Sequence, residues 1–190
     1  MHIDFGTGDG TYAYRFARQY SDTLVIGVDS NAENLREISH KAGQKESKGG
    51  LSNLLLGQLS LEQSPGELVG FADSISILLP WGSLLRAVAL PEPESLLKLR
   101  GLLKQNGNSE MTIIFGYSES ADPGMVQTLG LPVLDDNFLK NQLIPAYHSA
   151  GLRVKANQIP VDEINQIPSR WAKKLAFSGK SRTFVKVTAR

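Results

Sequence analysis

The segment HIDFGTGDG (His2–Gly10) sets three glycines, Gly6, Gly8 and Gly10, behind a short apolar run and places Asp4 before them and Asp9 among them. Glycines at this spacing let a backbone come close to a ligand and turn sharply into a helix. A dinucleotide site uses G-x-G-x-x-G, because a helix N-terminus there receives a pyrophosphate. Here the spacing is G-x-G-x-G, and two carboxylates flanking it would repel a pyrophosphate. They suit a cofactor that is cationic and free of phosphate. S-adenosyl-L-methionine (SAM), with its ammonium and sulfonium, meets that description, and S-adenosyl-L-homocysteine is its product. Asp29 ends the next apolar run, 19 residues after Gly10. A carboxylate at that place accepts both hydroxyl protons of a ribose. Glu62, beyond the third run, stands where an adenine amino group would be read.

A second chemistry-bearing stretch is DSISILLPWGSLL (Asp73–Leu85), in which an apolar strand runs into Pro80-Trp81-Gly82. Large aromatic rings usually lie in cores. Trp81 instead falls at a strand's carboxyl end, beside the expected methyl donor. The other tryptophan, Trp171, lies in PSRWAKKLAFSGKSR. From Ser169 to Arg190 there are seven Lys or Arg and no Asp or Glu, and Lys41, Lys45 and Lys48 form another basic cluster. Two basic patches on a chain of net charge +1 point to an anionic partner.

The elements that must position these groups read as alternating strands and helices. The strands are His2–Gly6, Leu24–Asp29, LSNLLLGQL, Asp73–Pro80, Met111–Gly116, LRVKANQIP and RTFVKVTA. Helices are expected at Thr11–Tyr20, after a Ser30 or Asn31 cap, at Glu92–Lys104, at Asp136–Ala150 before Gly151, and around Ile167–Phe177. Strands that are apolar throughout, alternating with helices, make a mostly parallel sheet covered on both faces. The expected fold is a single α/β domain, 1–190, built on a seven-stranded sheet. Cysteine is absent, which excludes disulfides, thiolate metal sites and cysteine nucleophiles. No apolar run reaches the ~18 residues of a membrane span, and no secretory leader is visible. A cytoplasmic monomer is expected, with neither membrane nor metal involved.

HIDFGTGDG, IGVDSNAENL, SKGGLSN, ADSISILLPWGSLL and SRWAKKLAF closely resemble the aminoglycoside-resistance methyltransferases of the kanamycin–apramycin type, over His2 to about Val187. That resemblance implies the Rossmann-like fold of class I SAM-dependent methyltransferases, with helices on both faces of the sheet, and SAM-dependent methylation of N1 of a decoding-site adenine in 16S rRNA, with the 30S ribosomal subunit as partner. It implies catalytic roles for Trp81 and Trp171, which would sandwich the flipped adenine, and for Ser169, which would hold the tryptophan-bearing segment. It implies cofactor contacts at Asp4, Gly6, Asp29, Glu62, Leu78 and Ser83, with Thr7, Gly8, Ser30 and Leu61 completing the set. It implies RNA docking by Lys41, Lys45, Lys48, Lys174, Lys180 and Arg182.

Three departures qualify it. The family's N-terminal hairpin extension is expected to be absent, which would weaken the first strand and one side of the pocket. Asp122 or Glu119 stands where relatives place a glutamate near the RNA. Ser181 dilutes the last basic patch. Two competing readings keep the same fold: a methyltransferase of tRNA, and a weakly active or non-catalytic relative that holds SAM and RNA.

Overall fold

The computed structural model describes residues 1–190. Its strands are β1 (His2–Phe5), β2 (Val25–Asp29), β3 (Leu54–Gln58), β4 (Ser74–Leu78), β5 (Glu110–Tyr117), β6 (Val154–Ile159) and β7 (Thr183–Ala189). Its helices are α1 (Thr11–Gln19), α2 (Arg36–Ala42), α3 (Gly82–Ala89), α4 (Pro93–Leu102), α5 (Pro123–Leu129), α6 (Asp136–Phe138), α7 (Ile144–Ser149), α8 (Val161–Gln166) and α9 (Arg170–Ala176). The strands form one sheet of seven in the order β3-β2-β1-β4-β5-β7-β6, and only β7 runs antiparallel to its neighbours. The fold expected from the sequence is therefore the one found. No helix is long and apolar enough to cross a membrane.

Period-two alternation assigns each strand residue to a face. Ile3, Phe5, Ile75, Ile77, Met111, Ile113, Phe115, Val185 and Val187 all enter one large cluster, together with the buried sides of α3, α4 and α7. Ile114 and Phe184 point the other way, into a smaller cluster closed by α8 and α9. Ala13, Tyr14 and Ala17 of α1 close a third over β2 and β3. Between those two lies a polar seam. The register pairs His2 with Ser74 and Asp4 with Ser76, so the paired positions on this face of the two central strands are hydrophilic. The His2 ring covers one end by stacking on Phe16 at 4.0 Å.

The strand order reverses between β1 and β4, and that crevice is where open α/β sheets bind ligands. All four residues of β1 are buried, and the strand pairs on both sides. The expected Asp136–Ala150 helix is interrupted by a π-turn at Leu139–Leu143. Pro145 follows closely and lacks the N–H that an uninterrupted helix would need. Gly151, at φ 79°, ends the segment as expected. Helices α3, α5 and α8 fall where the sequence reading placed none.

Ile113 is fully buried at the centre of the sheet. Ile113→Ala should destabilise the protein by about 2–5 kcal/mol in urea denaturation. Val133→Ala, at a residue 71% exposed, should stay within about 0.5 kcal/mol.

Candidate cofactor and base-binding site

The turn after β1 is built by glycine. Gly6 and Gly8 have φ of 72° and 59°, which side-chain-bearing residues rarely adopt. A Cβ on Gly6 would come within 2.6 Å of Leu84 Cδ2, whereas Gly8 has nothing within 4 Å of that position. Gly8 therefore presents bare backbone to open space. Its N–H donates to Asp29 Oδ2 at 2.9 Å. The Asn31 N–H (2.9 Å) and the Asn34 side-chain amide (3.2 Å) donate to Asp29 Oδ1. Three donors fix the carboxylate and leave lone pairs free for a ligand.

A cavity of about 650 Å³ opens above this turn, at the carboxyl ends of β1 to β4. Of the sequence-predicted cofactor residues, Gly6, Thr7, Gly8, Asp29, Ser30, Leu61, Glu62, Leu78 and Ser83 line it. Hydrogen bonds from its own backbone amide, Ser60 and Ser83 hold the Glu62 carboxyl below its ordinary range, so it stands ionised as an acceptor.

Asp4 departs from the expectation. It lies beneath the cavity and is absent from its lining. Its carboxylate accepts from the Thr7 hydroxyl and, at 2.5 Å, from the Ser76 hydroxyl. His2 Nε2 lies 3.0 Å from Ser76 Oγ and His2 Nδ1 2.8 Å from Ser74 Oγ. Because Ser76 donates to Asp4, Nε2–H donates to Ser76 and Nδ1 accepts from Ser74. The seam is thus a chain of oriented donors that ends at the floor of the turn. Burial pushes Asp4 up to about 6 and His2 down to about 4.

The sequence reading noted Asp9 as a charge in the turn without assigning it a contact. It lines the cavity, and its buried Oδ2 has no hydrogen-bond partner within the chain. Arg170 Nε approaches that oxygen at 3.6 Å, while its Nη2 reaches Glu37 at 3.2 Å. Arg170, Asn31, Asn34, Ser60 and Pro80 also line the cavity and are not among the expected cofactor contacts. Asn34 lies within IGVDSNAENL, but no contact is assigned to it from sequence. Arg170 was visible only as the neighbour of Trp171.

Trp81, Trp171, Ser169 and Lys174 close the remaining wall. Leu79 is the one non-glycine residue with positive φ, 54°. This strained turn directs the chain out of β4 and leaves Trp81 55% exposed at the start of α3. Ser169 caps α9: its hydroxyl accepts from the N–H of Trp171 (3.1 Å) and of Ala172 (3.4 Å). The two indoles lie 5.8 Å apart at 89°, edge to face. Lys174 Nζ sits 5.3 Å from the Trp171 ring centre.

Lys41, Lys45 and Lys48 are exposed on a neighbouring surface, with Lys41 over the Tyr14 ring at 4.4 Å. Lys180 is exposed and donates to the Ala121 carbonyl at 3.0 Å. Arg182 is a second departure. Its side chain is only 7% exposed and forms two 2.8 Å hydrogen bonds with Asp122. The same pairing accounts for Asp122, so both groups brace the loop, and neither is a free surface charge.

The family model described as "NpmA: 16S rRNA (adenine(1408)-N(1))-methyltransferase" matches residues 1–190. The 16S rRNA (adenine(1408)-N(1))-methyltransferase of Escherichia coli is 39% identical over 190 residues, covering 99% of this chain and 85% of that one. Its counterpart from Streptoalloteichus tenebrarius is 30% identical over 174 residues, covering 91% and 79%. Among solved structures, the aminoglycoside resistance methyltransferase NpmB1 has a TM-score of 0.82 at 37% identity, covering 100% of this chain and 86% of that one. A tryptophan variant of the Catenulisporales acidiphilia 16S rRNA (adenine(1408)-N(1))-methyltransferase, solved with cosubstrate SAM, has a TM-score of 0.86 at 33% identity, covering 99% and 84%.

The polar seam makes a prediction about pH. Folded Asp4 keeps its proton to about pH 6 against an ordinary value of 3.8, so stability falls as pH rises from about 4 to 6. Folded His2 gives up its proton near 4 against an ordinary 6.5, so stability rises between about 4 and 6.5. The two slopes oppose. Asp4→Asn should make stability climb more steeply with pH across that window, and His2→Gln should make it fall. Urea unfolding between pH 4 and 7 reads both.

Proposed function

The chain belongs to the 16S rRNA (adenine(1408)-N(1))-methyltransferase family, and from that membership we propose how its own residues carry the reaction. The protein is a SAM-dependent enzyme that methylates N1 of a decoding-site adenine in 16S rRNA, the modification that confers aminoglycoside resistance. One observation carries the assignment of roles: two indole rings, one of them largely exposed, border the same cavity as a carboxylate-lined glycine turn.

The cavity suits SAM. Bare backbone at Gly8 allows close approach, Asp29 offers lone pairs for the ribose hydroxyls, and Glu62 is ionised to accept from an adenine amino group. Asp9 Oδ2 accepts no hydrogen bond and faces only Arg170 Nε at 3.6 Å, and Asp4 adds negative potential from below. SAM supplies an electrophilic methyl group. Adenine N1 carries an in-plane lone pair and no proton at neutral pH, so the chain needs no general base. Its tasks are to hold the extruded base, to align it and to accommodate the positive charge that the ring acquires.

Trp81 and Trp171 perform the first and last of these. Two faces flanking a base must stand parallel and about 7 Å apart, twice a contact distance. The edge-to-face pair must therefore open. Trp171 is partly packed against the α8–α9 cluster and anchored by the Ser169 cap, so the exposed Trp81 is the ring that swings. Stacking replaces what the base loses on leaving its helix, about 1–3 kcal/mol. Attraction of the developing cation adds about 0.5–2 kcal/mol per ring, and it grows toward the transition state.

The substrate is the 30S subunit. Lys41, Lys45, Lys48, Lys174 and Lys180 supply the positive surface that receives it, while Arg182 braces the last loop. Residues 1–190 act as one methyltransferase domain, since one sheet supplies all of these groups.

Primer extension on 30S subunits incubated with the protein and labelled SAM should stop at a single adenine. Trp81→Ala and Trp171→Ala should each reduce methylation about 10- to 100-fold while changing the SAM dissociation constant less than threefold. Full activity in either variant would refute the sandwich. Label appearing in tRNA and not in 30S subunits would refute the substrate.

A further inference from the structure

The seven Lys and Arg residues between Ser169 and Arg190 are not equivalent. Four are paired: Arg170 with Asp9 and Glu37, Arg182 with Asp122, Lys186 with Glu163, and Arg190 with Glu110. Lys173, Lys174 and Lys180 are exposed, and no carboxylate lies within 4.0 Å of any of them. The uncompensated positive charge of the segment is therefore gathered at three positions, and one aromatic residue, Phe177, stands between them in the chain. Phe177 is 77% exposed, more than any other large apolar residue of the protein. Single exposed apolar residues are common on protein surfaces. Val133, the next most exposed, is such a residue, and it is followed by Asp135 and Asp136 rather than by free cations.

Phe177 closes α9 on a braced turn. Its N–H donates to the Lys173 carbonyl at 3.0 Å. The Ser178 hydroxyl donates to the Leu175 carbonyl at 2.8 Å and accepts from Arg182 Nη1 at 2.7 Å, and Arg182 is itself held by Asp122. The ring is carried on a fixed backbone, so holding it against a partner costs little further ordering. Trp171, Lys174 and Phe177 follow one another at three-residue steps, which makes each the neighbour of the next on the helix surface. Lys174 Nζ already lies 5.3 Å from the Trp171 ring centre. Six residues of helix rise ~9 Å, so Phe177 stands a short step beyond the wall that receives the target base. Two stepped aromatic rings with unpaired cations around them suit a nucleic-acid strand, whose phosphates meet the lysines and whose base faces meet the rings. An acidic protein surface would satisfy the lysines and leave the exposed ring unused.

We propose that Phe177 is a stacking contact for the substrate RNA: its ring packs on the face of a nucleobase near the target adenine, while Lys173, Lys174 and Lys180 take the phosphates of the same stretch. The inference rests on the ribosomal RNA reading. It assigns α9 two aromatic contacts with separate tasks. Trp171 holds the base that reacts, and Phe177 holds a different nucleotide and so fixes where the strand lies against the helix.

Phe177→Leu keeps an apolar side chain and removes the flat ring, and Phe177→Tyr keeps the ring. Neither should move the melting temperature, because the position is exposed. For Phe177→Leu, the KM for 30S subunits at saturating SAM should rise about five- to twentyfold, with kcat and the SAM dissociation constant within twofold. Phe177→Tyr should stay within about twofold of wild type in all three. A wild-type KM in Phe177→Leu, or equal impairment of the two variants, would overturn the proposal. A photocrosslinking phenylalanine analogue at position 177 should join the protein to 16S rRNA, and joining to a ribosomal protein instead would overturn it as well. Should wild-type protein leave 30S subunits unmethylated, the ribosomal reading fails and Phe177 is judged separately, by the fluorescence anisotropy of a labelled single-stranded oligoribonucleotide. Weaker binding by Phe177→Leu than by wild type would then uphold the stacking contact, and equal binding would overturn it.

Discussion

The N–H of Gly8 donating to the Asp29 carboxylate ties the turn after β1 to the end of β2, and the functional geometry depends on that tie. It exists because Gly8 adopts a left-handed conformation and because Asp29 is the last residue of its strand. Around it the chain gathers negative charge where an open α/β sheet receives its ligand. Asp4 lies below, Asp29 beside and Asp9 within the turn. Packing carboxylates so closely has an electrostatic consequence: burial and the neighbouring Asp29 both favour the protonated form of Asp4. A cationic ligand relieves that tension, and an anionic one adds to it. Selection of cofactor by charge is thus a property of the scaffold's own ionisation.

The base-binding wall is assembled from two unrelated elements. Trp81 is projected by the strained end of β4, and Trp171 by a helix that Ser169 caps. Neither element alone makes a slot. Arg170, next to Trp171, pairs with Asp9 and so links the helix carrying one indole to the cofactor turn. The arrangement puts the ring of greatest exposure next to one anchored in a core cluster. One side of the slot opens, and the other keeps its registration with the methyl donor.

Much of this was legible in the sequence, for physical reasons. Strands buried on both faces show as continuous apolar runs, so all seven were readable, and the glycine turn and terminal Asp29 placed the ligand crevice. Short helices were not: α5 and α8 have too few turns for a periodic pattern, and α3 begins inside the Pro80-Trp81-Gly82 segment, where chemistry drew the reading away from structure. At the site, residue type was visible and partnership was not. Asp4 looks like a ligand group until Thr7 and Ser76 are seen to occupy it. Arg182 looks like a surface cation until Asp122, 60 residues earlier, is found beside it. Asn34 reaches Asp29 only through the fold. The tryptophans were legible by type and strand-end position, while their perpendicular orientation depends on packing between separate elements. Phe177 gave no signal, because a phenylalanine ending a helical run reads as core until the fold leaves it in solvent.

The central claim is that negative charge at the first turn selects a cationic, phosphate-free nucleoside. Isothermal titration of the full chain with SAM and with NAD, in the same buffer at pH 7.5, tests it most directly. One-to-one binding of SAM with no detectable heat from NAD is the predicted result. Binding of NAD with affinity equal to or greater than that of SAM would contradict it.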